Sequence, residues 1–292
     1  MKVKNLSKTI RQQQILNNIS FEVSPGTITG IIGRNGAGKT TLLRTMAGIL
    51  LPSSGDVFIG NHSILKHPAK KQTMIFIPDN LDSLKTYSTN ELITLYKMVY
   101  PGFDMDYFNH MRAHFSLPDV NRISQLSKGM KALFVLILAF SSRVDYLLLD
   151  EPTDGLDAIV KRKVLDFLVE QARANQVAVM IASHRLEELD FMVDDVLILR
   201  NGEVEEHFAI GELKTRYRKL QLAFQSGSFP PDLLKRVTPV SQSGSVYAVL
   251  ISAADSAIYN EIQDHDPVLF EELKLTLEDV FLARLGGTDD VL

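Results

Sequence analysis

Gly33-Arg34-Asn35-Gly36-Ala37-Gly38-Lys39-Thr40 has the spacing G-x-x-x-x-G-K-[ST]. Glycines at these positions let successive backbone N–H groups turn inward toward phosphate oxygens. The lysine would reach β- and γ-phosphates, and the threonine hydroxyl is suited to a magnesium ion. Such a loop needs a strand before it and a helix after it, and the sequence supplies both. Thr27 to Ile32 is a β-branched run ending at Gly33, and from Lys39 the apolar residues Leu42, Leu43, Met46, Ile49 and Leu50 share one helical face until Pro52. Gly33, Asn35, Gly36, Ala37, Gly38, Lys39, Thr40 and Thr41 are therefore the candidate nucleotide-binding residues. A second constellation lies further on. Leu147-Leu148-Leu149-Asp150-Glu151 reads as a buried strand that delivers two carboxylates to its carboxyl end, where parallel sheets bind ligands. Asp150 would hold the metal, and Glu151 would orient or deprotonate the attacking water.

The remaining elements follow from periodicity. Ile19, Phe21 and Val23 alternate with polar residues, so 1–32 read as strands. Residues 84–145 read as helical, with Thr89 as N-cap of a first helix carrying Leu92, Leu95, Tyr96 and Val99. A helix over 158–173 and a strand over Val177–Ile181 follow, and Asn201-Gly202 marks a hairpin. Strands alternating with helices give an α/β core with a parallel sheet and a helical insertion. Beyond residue 211 the expected order is strand 219–224, a short helix after Pro230-Pro231, a hairpin at Ser243-Gly244, helix 253–264 and strand 268–274. That order is the β-α-β-β-α-β of a ferredoxin-like unit.

Composition narrows the function. The chain has 292 residues, 45% of them hydrophobic and 23% charged, values of an ordinary globular protein. It contains no cysteine, hence no disulfide and no thiolate chemistry. The net charge of −4 disfavours a nucleic-acid binder that relies on bulk positive charge. The N-terminal residues lack the apolar stretch of a secretory signal. The longest apolar run, Ala132–Phe140, falls far short of the about 20 residues needed to cross a bilayer.

Over residues 1–210 the chain resembles the ATP-binding subunits of ABC transporters, exporter-type bacterial cassettes in particular. Leu126-Ser127-Lys128-Gly129-Met130 is similar to the family's L-S-G-G-Q signature, departing at Lys128 and Met130. The resemblance implies a P-loop NTPase core with a parallel sheet, an antiparallel β subdomain and a helical insertion, plus the small C-terminal α+β domain over 211–292. It implies ATP with Mg²⁺, and two cassettes, identical or different, that sandwich ATP between the loop of one and Ser127 and Gly129 of the other. Gly155-Leu156-Asp157 resembles the family's D-loop, whose aspartate bridges the two sites, and Ser183-His184 its switch histidine. The implied partner is an integral membrane permease, held near residues 79–100 with Tyr87, Leu92 and Tyr96 as contacts, so that the chain sits peripherally on the inner membrane face.

Two further residues depart from the pattern. Asp79 stands where the family has glutamine, and it is either a harder metal ligand or an unhelpful negative charge beside the phosphates. Ile10 stands where many members stack an aromatic on adenine, which predicts loose discrimination between bases. Lys128 and Asp79 together would also suit a cassette that senses nucleotide without hydrolysing it. A soluble DNA-linked ATPase of the same type is disfavoured, because the stretch between Thr40 and Leu126 is short and has no sustained heptads. The Leu277-Glu278-Asp279-Val280-Phe281 segment resembles the ending of exporter-type cassettes, and Lys161-Arg162-Lys163 reads as a solvated helix face.

Overall fold

The computed structural model describes residues 1–285, so the last seven residues of the 211–292 region expected as a C-terminal domain lie outside the described residues. The chain divides into two compact units. The first comprises Met1–His184 with Met192–Phe208, and the second Arg185–Phe191 with Ala209 onward.

In the first unit, β1 (Lys2–Ile10) and β2 (Gln13–Glu22) pair antiparallel. They are followed by β3 (Ile28–Ile32), α1 (Lys39–Met46), β4 (Ser54–Ile59), β5 (His62–Ser63) and β6 (Met74–Ile77). Strands β2, β1, β4 and β5 form one antiparallel sheet. Three helices then intervene, α2 (Thr89–Val99), α3 (Met105–His114) and α4 (Lys128–Ser141), before β7 (Tyr146–Asp150), α5 (Ala158–Ala174) and β8 (Ala178–Ala182). The short α6 (Leu186–Leu189), which belongs to the second unit, precedes β9 (Asp195–Arg200) and β10 (Glu203–Ala209). The six-stranded sheet has the order β10-β9-β3-β8-β7-β6. All pairs from β9 to β6 are parallel. Asn201 and Gly202 both have positive φ, 50° and 80°, as a two-residue β9–β10 hairpin requires.

Two features place the phosphate loop. Strands β3, β7 and β8 are buried along their whole length, which is why they read as continuous apolar runs. Helix α1 lies in the core cluster shared by the antiparallel sheet and one face of the parallel sheet, with Leu42, Leu43 and Met46 fully buried. Its first turn is thereby fixed above the carboxyl end of β3. The helical insertion is built around α4, whose residues 133–141 are all buried and which packs against α3 and α5. Its apolar character all round follows from that position.

The first helix of the insertion starts one residue earlier than Thr89 suggests. Ser88 is the N-cap, with a full capping box to Glu91. Thr89 is instead buried, and its backbone N–H donates to the Val120 carbonyl.

The second unit contains α7 (Leu213–Arg216), β11 (Tyr217–Ala223), α8 (Pro231–Leu234), β12 (Thr238–Ser243), β13 (Val246–Ser252), α9 (Ser256–Asp264), β14 (Leu269–Leu273) and α10 (Leu277–Leu285). The sheet order β12-β13-β11-β14, antiparallel throughout, is the ferredoxin-like arrangement expected from the element order. Leu220, Leu222, Leu233, Val249, Ile258 and Ile262 form its core.

Candidate nucleotide site

The loop between β3 and α1 turns through Gly36 and Gly38, at φ 82° and 105°. Gly38 is the N-cap of α1, and a side chain there would strike Leu16 and the Ile15 carbonyl as well as strain the backbone. Ala37 and Lys39 are buried, whereas Arg34, Asn35 and Gly36 are exposed. Lys39 Nζ donates to the Gly33 carbonyl at 2.6 Å and lies 3.4 Å from that of Arg34, drawing the loop around its own ammonium. Burial pushes the Lys39 pKa below its ordinary value, and the Glu151 and Asp150 charges oppose that shift. A cleft of about 330 Å³ opens here, and Asn35 through Thr41 and Glu151 line it. Its floor is a helix N-terminus, an electrostatic site for an anion.

Asp150 closes the inner end. It is the last residue of β7 and is 1% exposed. The Thr40 hydroxyl donates to its Oδ1 at 3.0 Å, while Oδ2 is buried with no hydrogen-bond partner. Burial raises its pKa, the Thr40 bond opposes the rise, and the Asp79 charge adds to it. A carboxylate oxygen buried without a partner is costly, and a cation beside Thr40 would satisfy it. The donor set fits Mg²⁺, which takes one or two protein oxygens and completes its shell with water and phosphate.

Glu151 follows in a left-handed backbone conformation, φ 48°, that a side chain of this kind rarely adopts. Its N–H donates to the Ala182 carbonyl, and the Glu151 carbonyl accepts from the Asp154 N–H. The carboxylate meets His184, with Nδ1 to Oε2 at 2.8 Å and the His184 N–H at 3.3 Å. Acid and imidazole are thus paired at the adjacent carboxyl ends of β7 and β8. Backbone strain at such a position is characteristic of functional sites.

The other expected residues lie apart. Ser127 caps α4, accepting from Met130 N–H at 3.2 Å. Gly129 is buried, and a Cβ there would fall inside the Val160 side chain of α5. Asp157 caps α5 through the N–H groups of Ile159 and Val160. None of the three lines the phosphate cleft of its own chain. Asp79 is exposed and lines a separate cleft of about 360 Å³ with Lys128, Lys131, Asp82 and Asp154.

One expectation about neighbouring residues changes, that for Leu92. Ile10 is 37% exposed and is not among the residues lining the phosphate cleft, whereas Ile15 is. Strand alternation carries the signal that would have found it. Leu16 points into the core with no exposure, so the preceding residue on β2 must face the opposite side. Leu92 is fully buried within the insertion and Tyr96 is partly buried, so Leu92 is no surface contact. Desolvation raises the Tyr96 pKa well above the ordinary phenol range. The exposed apolar residues there are Tyr87, Leu95, Met98 and Val99.

Comparison with known proteins agrees with this geometry. The ABC transporter family profile matches residues 16–154. The chain is 33% identical over 287 residues, 98% of each chain, to the ABC transporter ATP-binding protein YtrB of Bacillus subtilis. It is 28% identical, over 98% of this chain and 97% of the other, to the bacitracin transport ATP-binding protein BcrA of Bacillus licheniformis. A solved ATP-binding subunit of an ABC transporter superposes with TM-score 0.65 and 26% identity, over 73% of this chain and 91% of that one. Among the described residues no helix is long and apolar enough to cross a membrane. The chain belongs to the ABC transporter family, as one of its ATP-binding, ATP-hydrolysing subunits.

Proposed function

We propose that residues 33–41 hold the triphosphate of ATP, with Lys39 on the β- and γ-phosphates and Thr40 and Asp150 on Mg²⁺. The observation that carries this reading is the buried, unpartnered Asp150 Oδ2 beside the Thr40 hydroxyl. Bound there, Mg²⁺ supplies positive charge to the phosphate oxygens. Glu151 orients and accepts a proton from the attacking water. His184, held by Glu151 through Nδ1, presents its other ring nitrogen to the γ-phosphate, to which it donates when both ring nitrogens carry protons. Asp79, at the end of β6, adds its negative charge to the metal's surroundings from the neighbouring cleft that it lines.

Ser127 and Gly129 serve the ATP of a second cassette, identical or different, and Asp157 lies beside that junction. Their location outside the chain's own phosphate cleft supports this division of labour. A hydroxyl and a backbone N–H at the start of α4 make an anion site suited to a γ-phosphate brought by a partner. Closure on ATP and opening after hydrolysis give a two-state element that drives a membrane permease. The permease docks on the insertion through Tyr87, Leu95 and Met98, which are exposed and, on α2, spaced along one face. No nucleic-acid partner is proposed. This arrangement keeps the chain on the inner face of the membrane through its partner.

The paired Glu151 and His184 favour hydrolysis over nucleotide sensing alone. The test is ATP turnover with and without Mg²⁺. Phosphate release that requires Mg²⁺ supports the reading, and ATP binding with no release in either condition overturns it.

A further inference from the structure

Two departures from the family pattern, Asp79 and Lys128, meet in one place. Both lie in the first unit, on the walls of the cleft of about 360 Å³ that Lys131, Asp82 and Asp154 also line. Asp79 stands just beyond β6, two residues past Ile77. Lys128 is the first residue of α4, and Lys131 and Ala132, three and four residues on, share its helical face. Deeper on that side of α4, Ala132 and Leu136 line a small cavity with Ile77 and Asp79. The start of α4 and the segment after β6 are therefore neighbours within one compact unit.

The charges in this cleft are not all settled. Asp82 is paired with Lys85 at 2.9 Å, and its pKa lies below the ordinary value because of that bond, with a further contribution from the Lys131 charge. Among the described residues the side chains of Asp79 and Lys128 make no ion pair or hydrogen bond. The Lys128 ammonium lies instead against the backbone of Gly155, so close that a Cβ there would stand 2.2 Å from Nζ. Gly155 has φ 65° and leaves that space open. On its other side Asp79 acts toward the phosphate site. Burial raises the pKa of Asp150, and the Asp79 charge adds to the rise. A glutamine at this position would carry no charge, whereas an aspartate directs a negative field at a site that must hold a polyphosphate.

We propose that Lys128 is the counter-charge of Asp79, its ammonium on α4 shielding the phosphate site from the carboxylate that follows β6. Lys128 does not line the phosphate cleft of its own chain, so it acts on the nucleotide there through Asp79 and not by touching it. The inference rests on the phosphate site proposed above. The two departures then form one compensating exchange, a neutral glutamine and glycine replaced by an aspartate and a lysine of zero net charge.

The test is a double-mutant cycle on the full chain, without divalent metal, so that the sign of the charge effect on the phosphates is fixed. ADP is the probe, because it has no γ-phosphate to draw in a second cassette. At low salt Lys128→Met, which keeps the aliphatic stem, weakens ADP binding about fourfold. In the Asp79→Gln background the same change weakens it by less than about 1.5-fold. Lys128→Arg retains parental affinity, and at about 1 M NaCl the effect of Lys128→Met disappears. The second arm needs no nucleotide. Lys128→Met lowers the melting temperature of the free chain by about 1–2 °C at low salt, the size expected of exposed charges, and leaves it unchanged in Asp79→Gln. No effect of Lys128→Met in the parent, equal penalties in the two backgrounds, or a loss that persists at high salt would each overturn the proposal. A parent chain that binds no ADP would fall on the functional reading instead, and the melting arm still decides this one.

Discussion

Replacing Asp150 by asparagine should make the nucleotide-free protein more stable while destroying its activity. The aspartate is 1% exposed, its Oδ1 takes one hydrogen bond from Thr40, and its Oδ2 takes none. Burial raises its folded pKa above the ordinary 3.8. The sign follows directly. Between the ordinary and the raised value the folded chain binds more protons than the unfolded chain, so stability falls as pH rises through that window. Above the folded pKa the full cost of the ionised group is present. An unpaired buried polar group costs about 1–3 kcal/mol, more when charged. Asparagine keeps the oxygen that accepts from Thr40 and removes the charge, leaving only an amide to desolvate. A net gain of about 1–2 kcal/mol is expected, a rise in melting temperature of roughly 2–8 °C for a domain of this size. Differential scanning calorimetry near neutral pH, without nucleotide or divalent metal, reads it, and the variant should also lose the pH dependence of that window. Mg²⁺-dependent turnover should fall by at least about a hundredfold. A lower melting temperature in Asp150→Asn, or turnover within a fewfold of the parent, would refute the assignment of this carboxylate to the metal.

Asp79→Gln should retain hydrolysis, since Asp79 is exposed and an amide oxygen can take its place near the metal; complete loss in a phosphate-release assay would show that the carboxylate is required. Gly129→Ala should destabilise the first unit by about 1–3 kcal/mol, because its methyl group would fall inside Val160, read as a lowered denaturation midpoint. Ser88→Ala should cost about 1 kcal/mol by removing the capping box of α2, with turnover nearly unchanged. ATP and GTP should be hydrolysed at rates within about tenfold of each other, since Ile10, at the end of β1, is aliphatic rather than aromatic and offers a base no ring to stack on; a strict ATP preference in a competition assay would contradict this.

The phosphate loop and the acids after β7 were legible because their chemistry requires fixed residue types at fixed spacing. The ferredoxin-like order was legible because short strands announce themselves by alternation and by turns such as Ser243-Gly244. Other features depend on contacts distant in sequence. Thr89 and Ser88 are both good caps, and burial of Thr89 against the 119–120 loop decides between them. Leu92 and Leu95 sit on one helix with similar hydropathy, yet one is fully buried and the other 39% exposed, because α2 has neighbours on one side only. The pairing of Glu151 with His184 joins residues 33 positions apart, and the positive φ of Glu151 has no sequence signal at all. Nor does a boundary drawn at residue 210 reveal that residues 185–191 group with the C-terminal unit. That grouping depends on α6 packing against α10, far along the chain.

Sedimentation of the Glu151→Gln protein with saturating ATP and Mg²⁺ tests the account most directly. Removing the acid that activates water leaves every proposed phosphate and metal contact in place, so the bound triphosphate should accumulate and hold two chains together. A dimer that forms with ATP and Mg²⁺, and dissociates when Lys39 is also changed to alanine, is the predicted result. A monomer under those conditions, or a dimer indifferent to Lys39, would contradict it.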